Sequence, residues 1–246
     1  RAGEKPLFYA RVGEEIWFAS EIQALLVGGI LSTDLNEGAL HWYLSLGYVP
    51  EPHTLMSGIR KIPAGAAVRF RGGEQETVRY WRPEEMAAAP DERPTISSLQ
   101  EALEVAVRAQ MKADVPVGVF LSGGLDSALL ATLAAAEAPG RLHTFNARFA
   151  DSSYDESDWA AKCAALIGSD HHEVRIDDGS LMEALEAIVE GVAEPVSDPA
   201  VLPTYLLARR ARQDVTVVLS GEGADELFGG YLYFHKAPSP KDFHEE

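Results

Sequence analysis

From residue 97 to residue 220 the chain alternates between short apolar runs that suit a strand and longer runs with the apolar spacing of a helix, and few folds satisfy that alternation. The strand-like runs are VGVFL, LHTFNARF, HHEVRI and VTVVLS; between and before them lie SSLQEALEVAVRAQM, ALLATLAAA, ESDWAAKCAALI, LMEALEAIVEGV and PTYLLARRARQ. Unbroken apolar strand interiors call for cover on both faces, as in a parallel sheet joined by crossover helices. The expected fold class is therefore α/β, a doubly wound parallel sheet, whose ligands gather outside the carboxyl ends of the strands near a switch in strand order. In the first helical run Leu99, Leu103, Ala106, Val107 and Met111 share a face, with Ser97 or Ser98 placed to cap it and Glu101 near its third position. Residues 82–96 hold three prolines and no sustained period, the composition of a linker. Before them, LFYARVGEEIWFAS reads as a hairpin about Val12-Gly13-Glu14-Glu15, followed by short helices at SEIQALL and NEGALHWYLSLGY. Strands at IRKIPAGAAVRF and ETVRYW follow, parted by a turn at Gly72-Gly73.

Two of the expected strands run straight into Ser-Gly turns. Residues 115–127 read VPVGVFLSGGLDS, so Ser122, Gly123, Gly124, Asp126 and Ser127 stand where a helix begins, and backbone N–H groups at the positive helix end suit an anion. No Lys stands in the spacing G-x-x-x-x-G-K-[ST], and G-x-G-x-x-G is missing, so neither the usual grip on β and γ phosphates nor a dinucleotide fingerprint is present. An ordinary strand-to-helix turn uses the same residue types, and Phe120 and Leu121 suit the interior of a sheet equally well.

SGGLDS, together with VVLSGEGADELFGGY about a hundred residues later and the tail YLYFHKAPSP at residues 231–240, resembles the ATP-pyrophosphatase domain of glutamine-dependent asparagine synthetases. SGGxDS alone is shared with GMP synthetases, argininosuccinate synthetases and tRNA-modifying ligases. The pair of motifs narrows the likeness to asparagine-synthetase-like enzymes, β-lactam synthetases included. The resemblance implies a fold of the adenine nucleotide alpha-hydrolase type and a division into residues 1–82, the closing part of an α+β N-terminal-nucleophile glutaminase domain, 83–96, a linker, and 97–246, a truncated synthetase domain. By the same likeness Ser122 to Ser127 cradle the pyrophosphate of ATP, and Asp126 and Asp225 hold Mg²⁺. Adenine and ribose rest near Phe120, Leu121, Ala147, Ser220 and Gly221, and Glu222 assists attack by ammonia. The substrates implied are ATP, aspartate, and glutamine or ammonia, in a cytoplasmic enzyme for which a homodimer is one candidate state. The sequence opens on Arg and stops soon after the second motif, so by this likeness both ends are expected to be missing, among them the nucleophilic Cys that opens such chains. Asp225 also suits an N-cap on ADELF, and Glu226 suits a bond to loop N–H groups.

Some positions depart from the family's commoner pattern. Asn146-Ala147-Arg148 stands where a small apolar residue and glycine are frequent, which bears on the adenine pocket. Glu194-Pro195-Val196-Ser197-Asp198-Pro199 resembles a bacterial branch, and Asp198 suits either substrate contact or a helix cap.

Composition limits the rest. A net charge of −17, from 38 acidic against 21 basic residues, opposes nucleic acid and anionic membrane partners. No apolar run reaches the ~20 residues of a membrane span. A single cysteine forms no intrachain disulfide, and Cys163 is expected as a buried thiol on a helix face shared with Trp159 and Leu166. His171 and His172, adjacent on a strand, should point to opposite faces and serve structure rather than one shared metal. Arg209, Arg210 and Arg212 read as a solvated helix face.

Overall fold

The computed structural model describes residues 1–29, 31–86, 95–151 and 155–232. The chain folds as two compact units, Arg1–Arg93 with Leu185–Val201, and Pro94–Ala184 with Leu202–Glu246. In chain order the elements are β1 (Phe8–Val12), β2 (Glu15–Ala19), α1 (Ile22–Val27), α2 (Glu37–Leu46), β3 (Ile59–Lys61), β4 (Ala66–Arg71), β5 (Glu74–Arg79), α3 (Pro83–Met86) and α4 (Ile96–Gln110). They continue with β6 (Val117–Phe120), α5 (Leu125–Glu137), β7 (His143–Phe149), α6 (Ser157–Ile167), β8 (Asp170–Ile176), α7 (Asp178–Gly191), α8 (Val201–Ala211), β9 (Val217–Leu219) and α9 (Ala224–Phe228).

In the first unit β1 pairs antiparallel with both β2 and β3, and β4 forms a hairpin with β5. Gly13, at φ 62°, makes the tight β1–β2 turn expected from Val12-Gly13-Glu14-Glu15. Phe8, Ala10, Ile22, Leu25 and Ile59 form the core of this unit. The Glu194 carboxylate accepts the Leu55 N–H at 2.7 Å, and its partial burial pushes the Glu194 pKa above the usual carboxylate range. A carboxyl whose folded pKa is raised contributes stability in acid, and that contribution is lost as the pH rises through the folded pKa. Glu194→Gln keeps an acceptor for Leu55 and carries no charge. We therefore expect it to raise the melting temperature at neutral pH and to flatten the fall in stability between acid and neutral pH, followed by thermal melts across that range. An unchanged pH profile would assign the half-buried carboxyl no thermodynamic weight.

The second unit is built on a sheet of order β8-β7-β6-β9, every neighbouring pair parallel. Its first strand lies inside and its fourth strand joins on the other flank, so the order switches between β6 and β9. Helices cover both faces, as the apolar strands require. On one face Val119 and Leu121 pack with Val107 of α4, Ala131 and Ala134 of α5, and Ala160 and Ala164 of α6. On the other, Phe145 packs against Ala211 and Val215, and Ile176 against Ala184 of α7 and Leu206 of α8. Strands β6 and β7 approach so closely that a side chain at Gly118 would meet the Phe145 ring at 2.9 Å. The fold is the expected doubly wound α/β sheet.

Two local expectations need correction. The cap of α4 is Thr95, not Ser97 or Ser98. Its hydroxyl accepts the Ser98 N–H at 3.1 Å while Ser98 Oγ accepts the Thr95 N–H at 2.9 Å, so Ser98 fills the third position assigned to Glu101. Of the expected face of α4, Val107 is buried and Leu103 and Met111 half-buried, whereas Leu99 and Ala106 are exposed. In α6 the buried stripe is Ser157, Ala160 and Ala164, and Trp159 and Leu166 lie outside at 65% and 88% exposure. The helix lies against backbone near Gly123, where large side chains have no room, so small residues took the inner face. Cys163 is half-buried at the edge of this stripe, and burial pushes its thiol pKa up. Among the described residues no helix is long and apolar enough to cross a membrane.

Candidate active site

At the carboxyl ends of β6 and β9, where the strand order switches, the two Ser-Gly turns open on one cavity of about 320 Å³. The first turn is tied to itself. Ser127 Oγ accepts the Ser122 N–H at 3.2 Å, Ser122 Oγ lies 2.9 Å from Ser127 Oγ and accepts the Gly124 N–H at 3.2 Å, and Ser127 Oγ reaches Gly124 O at 3.1 Å. These bonds shape the loop and leave the N–H groups of Leu125, Asp126 and Ser127, in the first turn of α5, with no acceptor among the described residues. Three donors without an acceptor stand at the start of a 13-residue helix, an arrangement that suits an anion.

The second turn follows β9. The Glu222 N–H bonds Ser220 Oγ at 3.3 Å, and Gly223, at φ 88°, reverses the chain into α9. The turns approach closely, since a Cβ on Gly221 would lie 3.3 Å from Asp126 Cβ. Asp225 sits in the first turn of α9 and is not its cap, a place taken by Gly223 without any side-chain bond. A side chain at Gly230 would run into the Asp225 carboxylate. Glu226 accepts the Tyr231 hydroxyl at 2.9 Å in place of the loop N–H groups considered for it.

Phe120, Leu121, Ser122, Gly124, Asp126 and Ser127 from the first strand end, Ala147 from β7, and Ser220, Gly221, Glu222 and Asp225 from the second all line this cavity. Gly123 does not. Its backbone, at φ 94°, packs against α6, where a Cβ would meet Ala160 N at 2.8 Å and Glu156 O at 2.9 Å. Leu121 is at once buried core and cavity wall.

Residues 98–245 match the family model described as asparagine synthase. The chain belongs to the asparagine synthase family. Residues 1–81 match the model described as a glutamine amidotransferase domain. Asparagine synthetase (glutamine-hydrolyzing) 1 of Bacillus subtilis is 36% identical over 98% of this chain and 38% of its own length. A putative asparagine synthetase (glutamine-hydrolyzing) of Mycobacterium tuberculosis is 40% identical over the same shares. The chain thus spans about 38% of the length of these relatives. An NH3-dependent NAD synthetase from Campylobacter jejuni superimposes with a TM-score of 0.41 at 17% identity, over 56% of this chain and 61% of that one, a likeness too slight to argue from.

In this asparagine synthase family member the cavity also has walls that sequence reasoning passed over. Glu156, at the start of α6, joins Asp126, Glu222, Asp225 and Glu226 among the acidic lining residues, and Thr204 and Leu207, three apart on α8, form a side wall. Phe149 and Glu156 flank the loop that leaves β7, so the rule that sites lie at carboxyl strand ends would have found them. Asn146 is buried and donates from Nδ2 to Leu121 O at 2.9 Å, binding the middle of β7 to the end of β6. Arg148 turns away to pair with Glu173 at 2.9 Å, a pairing that pushes its pKa up. Asp198 Oδ1 accepts the Ala200 N–H at 2.8 Å, the bond expected of a cap ahead of α8.

The basic run is engaged locally. Arg209 lies 3.8 Å from Glu183, Arg210 bonds Asp214, and Arg212 bonds Thr216 Oγ1 at 3.4 Å. None of the three lines the cavity. The tail match at 231–240 lies outside the described residues from 233 onward, and the linker expectation is outside them from 87 to 94.

Proposed function

We propose that the protein converts aspartate to asparagine through β-aspartyl-AMP, at the expense of ATP and with ammonia released from glutamine. The observation that carries this reading is the meeting of both Ser-Gly turns in one cavity at the β6–β9 switch point. Ser122, Gly124, Ser127 and the free N–H groups of α5 receive the pyrophosphate, and Phe120, Leu121, Ala147, Ser220 and Gly221 receive adenine and ribose. Asp126 and Asp225 line the same wall with hydroxyls nearby, an all-oxygen donor set that fits Mg²⁺. When bound, that ion offsets the charge of the departing pyrophosphate.

With phosphate so held, the β-carboxylate of aspartate attacks the α-phosphorus, an O–P bond forms, and the bond to pyrophosphate breaks with its electron pair. Ammonia then adds to the acyl carbon, AMP leaves, and Glu222 takes the proton that nitrogen sheds. Residues 1–82 belong in this reading to the glutaminase part, 83–96 to its connection, and 97–246 to the synthetase part. The reading includes a cytoplasmic location and a homodimer, and the net charge of −17 supports small-molecule substrates over nucleic acid or anionic membrane partners.

Aspartate-dependent exchange of labelled pyrophosphate into ATP, with asparagine and AMP as products, tests the proposal; exchange indifferent to aspartate would remove this acceptor. Glu222→Ala should retain exchange and lose amide formation by about a hundredfold, the usual weight of a general base. Equal loss of both steps would make Glu222 a nucleotide-positioning residue.

A further inference from the structure

At the amino ends of β7 and β8, away from the nucleotide cavity, three ligating atoms from two strands converge. The strands pair in register with His143 beside Asp170 and Phe145 beside His172, so the side chains of His143, Asp170 and His172 share one face of the sheet. His143 Nδ1 lies 3.3 Å from His172 Nε2 and 3.6 Å from Asp170 Oδ2, and His172 Nε2 lies 3.8 Å from that same oxygen. An ion with bonds of ~2.0–2.1 Å in tetrahedral array holds its ligand atoms about 3.3–3.4 Å apart. The triangle is therefore close to the right size already.

Phe145, fully buried, stacks nearly parallel to both imidazoles, with centroids 5.1 Å from His172 and 6.4 Å from His143, and so fixes the planes of the rings. The three side chains are 30%, 47% and 19% exposed for His143, Asp170 and His172, which leaves a way in for an ion and a coordination position for water. His143 lies four residue steps from Ala147 in the cavity wall, about 13 Å along a strand.

We propose that His143, His172 and Asp170 bind one divalent transition-metal ion of the zinc class, which clamps β7 to β8. Two imidazoles and one carboxylate favour zinc-like ions over magnesium or calcium, which prefer oxygen throughout. The proposal does not depend on the synthetase reading. His171, on the opposite face, bonds Thr144 Oγ1 at 2.9 Å and takes no part.

One neighbour competes. Arg210 Nη2 lies 2.9 Å from His172 Nδ1, and a guanidinium can only donate, so in the metal-free protein His172 carries its proton on Nε2 and shares it with His143 Nδ1. The ion takes the place of that proton, which moves to His172 Nδ1. Arg210 then gives up His172 and keeps Asp214, its other partner. Asp214 Oδ2, 3.9 Å from His172 Nε2, and Asp170 leave the locality with two carboxylates against one guanidinium.

The test is zinc titration of the protein against a chromophoric chelator, together with nitrogen NMR of the histidine rings. One equivalent should bind at micromolar protein, raise the melting temperature, and shift His143 Nδ1 and His172 Nε2 first. His143→Asn and His172→Asn should each weaken binding at least about tenfold, and His171→Asn should not. Arg210→Gln should tighten it by removing the competing donor. Zinc shifts confined to other histidines, or no shift at equimolar zinc, overturn the proposal in the unmodified protein whether or not the variants fold. Undiminished affinity in folded His143→Asn/His172→Asn overturns it equally.

Discussion

Asp126→Ala and Asp225→Ala are each expected to lower aspartate-dependent pyrophosphate exchange at least about a thousandfold, while leaving far-UV circular dichroism and melting temperature unchanged. The reason is the separation of fold from chemistry at these positions. Asp126 is exposed and Asp225 half-buried, both line the cavity, and neither side chain caps a helix. Losing either carboxylate therefore removes little packing. What goes is the negative charge that would hold the cation on pyrophosphate, and charge stabilisation of this kind accounts for most of the rate in nucleotidyl and phosphoryl transfer. Asp126→Asn and Asp225→Asn, which keep the shape and delete the charge, should fall nearly as far. Exchange at the wild-type rate in either Asn variant would end the metal role given to that residue.

Gly123→Ala is expected to destabilise the protein by about 3 kcal/mol or more, from positive-φ strain and overpacking together. At φ 94° the residue lies in a region that side chains rarely enter, and the added methyl would meet Ala160 N at 2.8 Å, Glu156 O at 2.9 Å and Trp159 Cβ at 2.9 Å. Two of these contacts are backbone of α6, which has no rotamer to change. Gly124→Ala makes the contrasting case. Gly124 has φ −69°, and a Cβ there would touch nothing nearer than Ser122 Oγ at 3.4 Å, yet it lines the cavity. That variant should fold normally and bind nucleotide poorly. Urea unfolding of the pair decides the matter: a Gly123→Ala loss below about 1 kcal/mol would show that the turn can relax away from α6.

The glycine pair shows how far sequence reasoning reaches. A turn of Ser, Gly, Gly, Asp and Ser at the end of an apolar strand suits an anion or an ordinary strand-to-helix turn by residue type, the family likeness points to phosphate, and neither gives the reason for each glycine. Gly124 leaves space for a ligand, whereas Gly123 leaves space for a helix that begins more than thirty residues later, a tertiary fact with no local signature. The same limit explains α6. Periodicity offered Trp159, Cys163 and Leu166 as a face, and the choice went to Ala160 and Ala164 because only small side chains fit against the turn. Strand existence and order of appearance were legible because continuous apolar runs have few other uses, and the carboxyl-end rule then located the cavity. Thr204 escaped notice because it reaches the wall from a helix side that no short motif marks, whereas Glu156 lies beyond a strand end where the same rule applies.

Strand β6 ends in the first turn and is flanked by β7 on one side and β9 on the other. Shifting it would break two ladders at once, so the floor of the cavity is preorganised before any ligand arrives. Reorganisation on binding then falls to the rim, where α9 is a five-residue helix with no buried side chain. Any discrimination by closure belongs to that short helix.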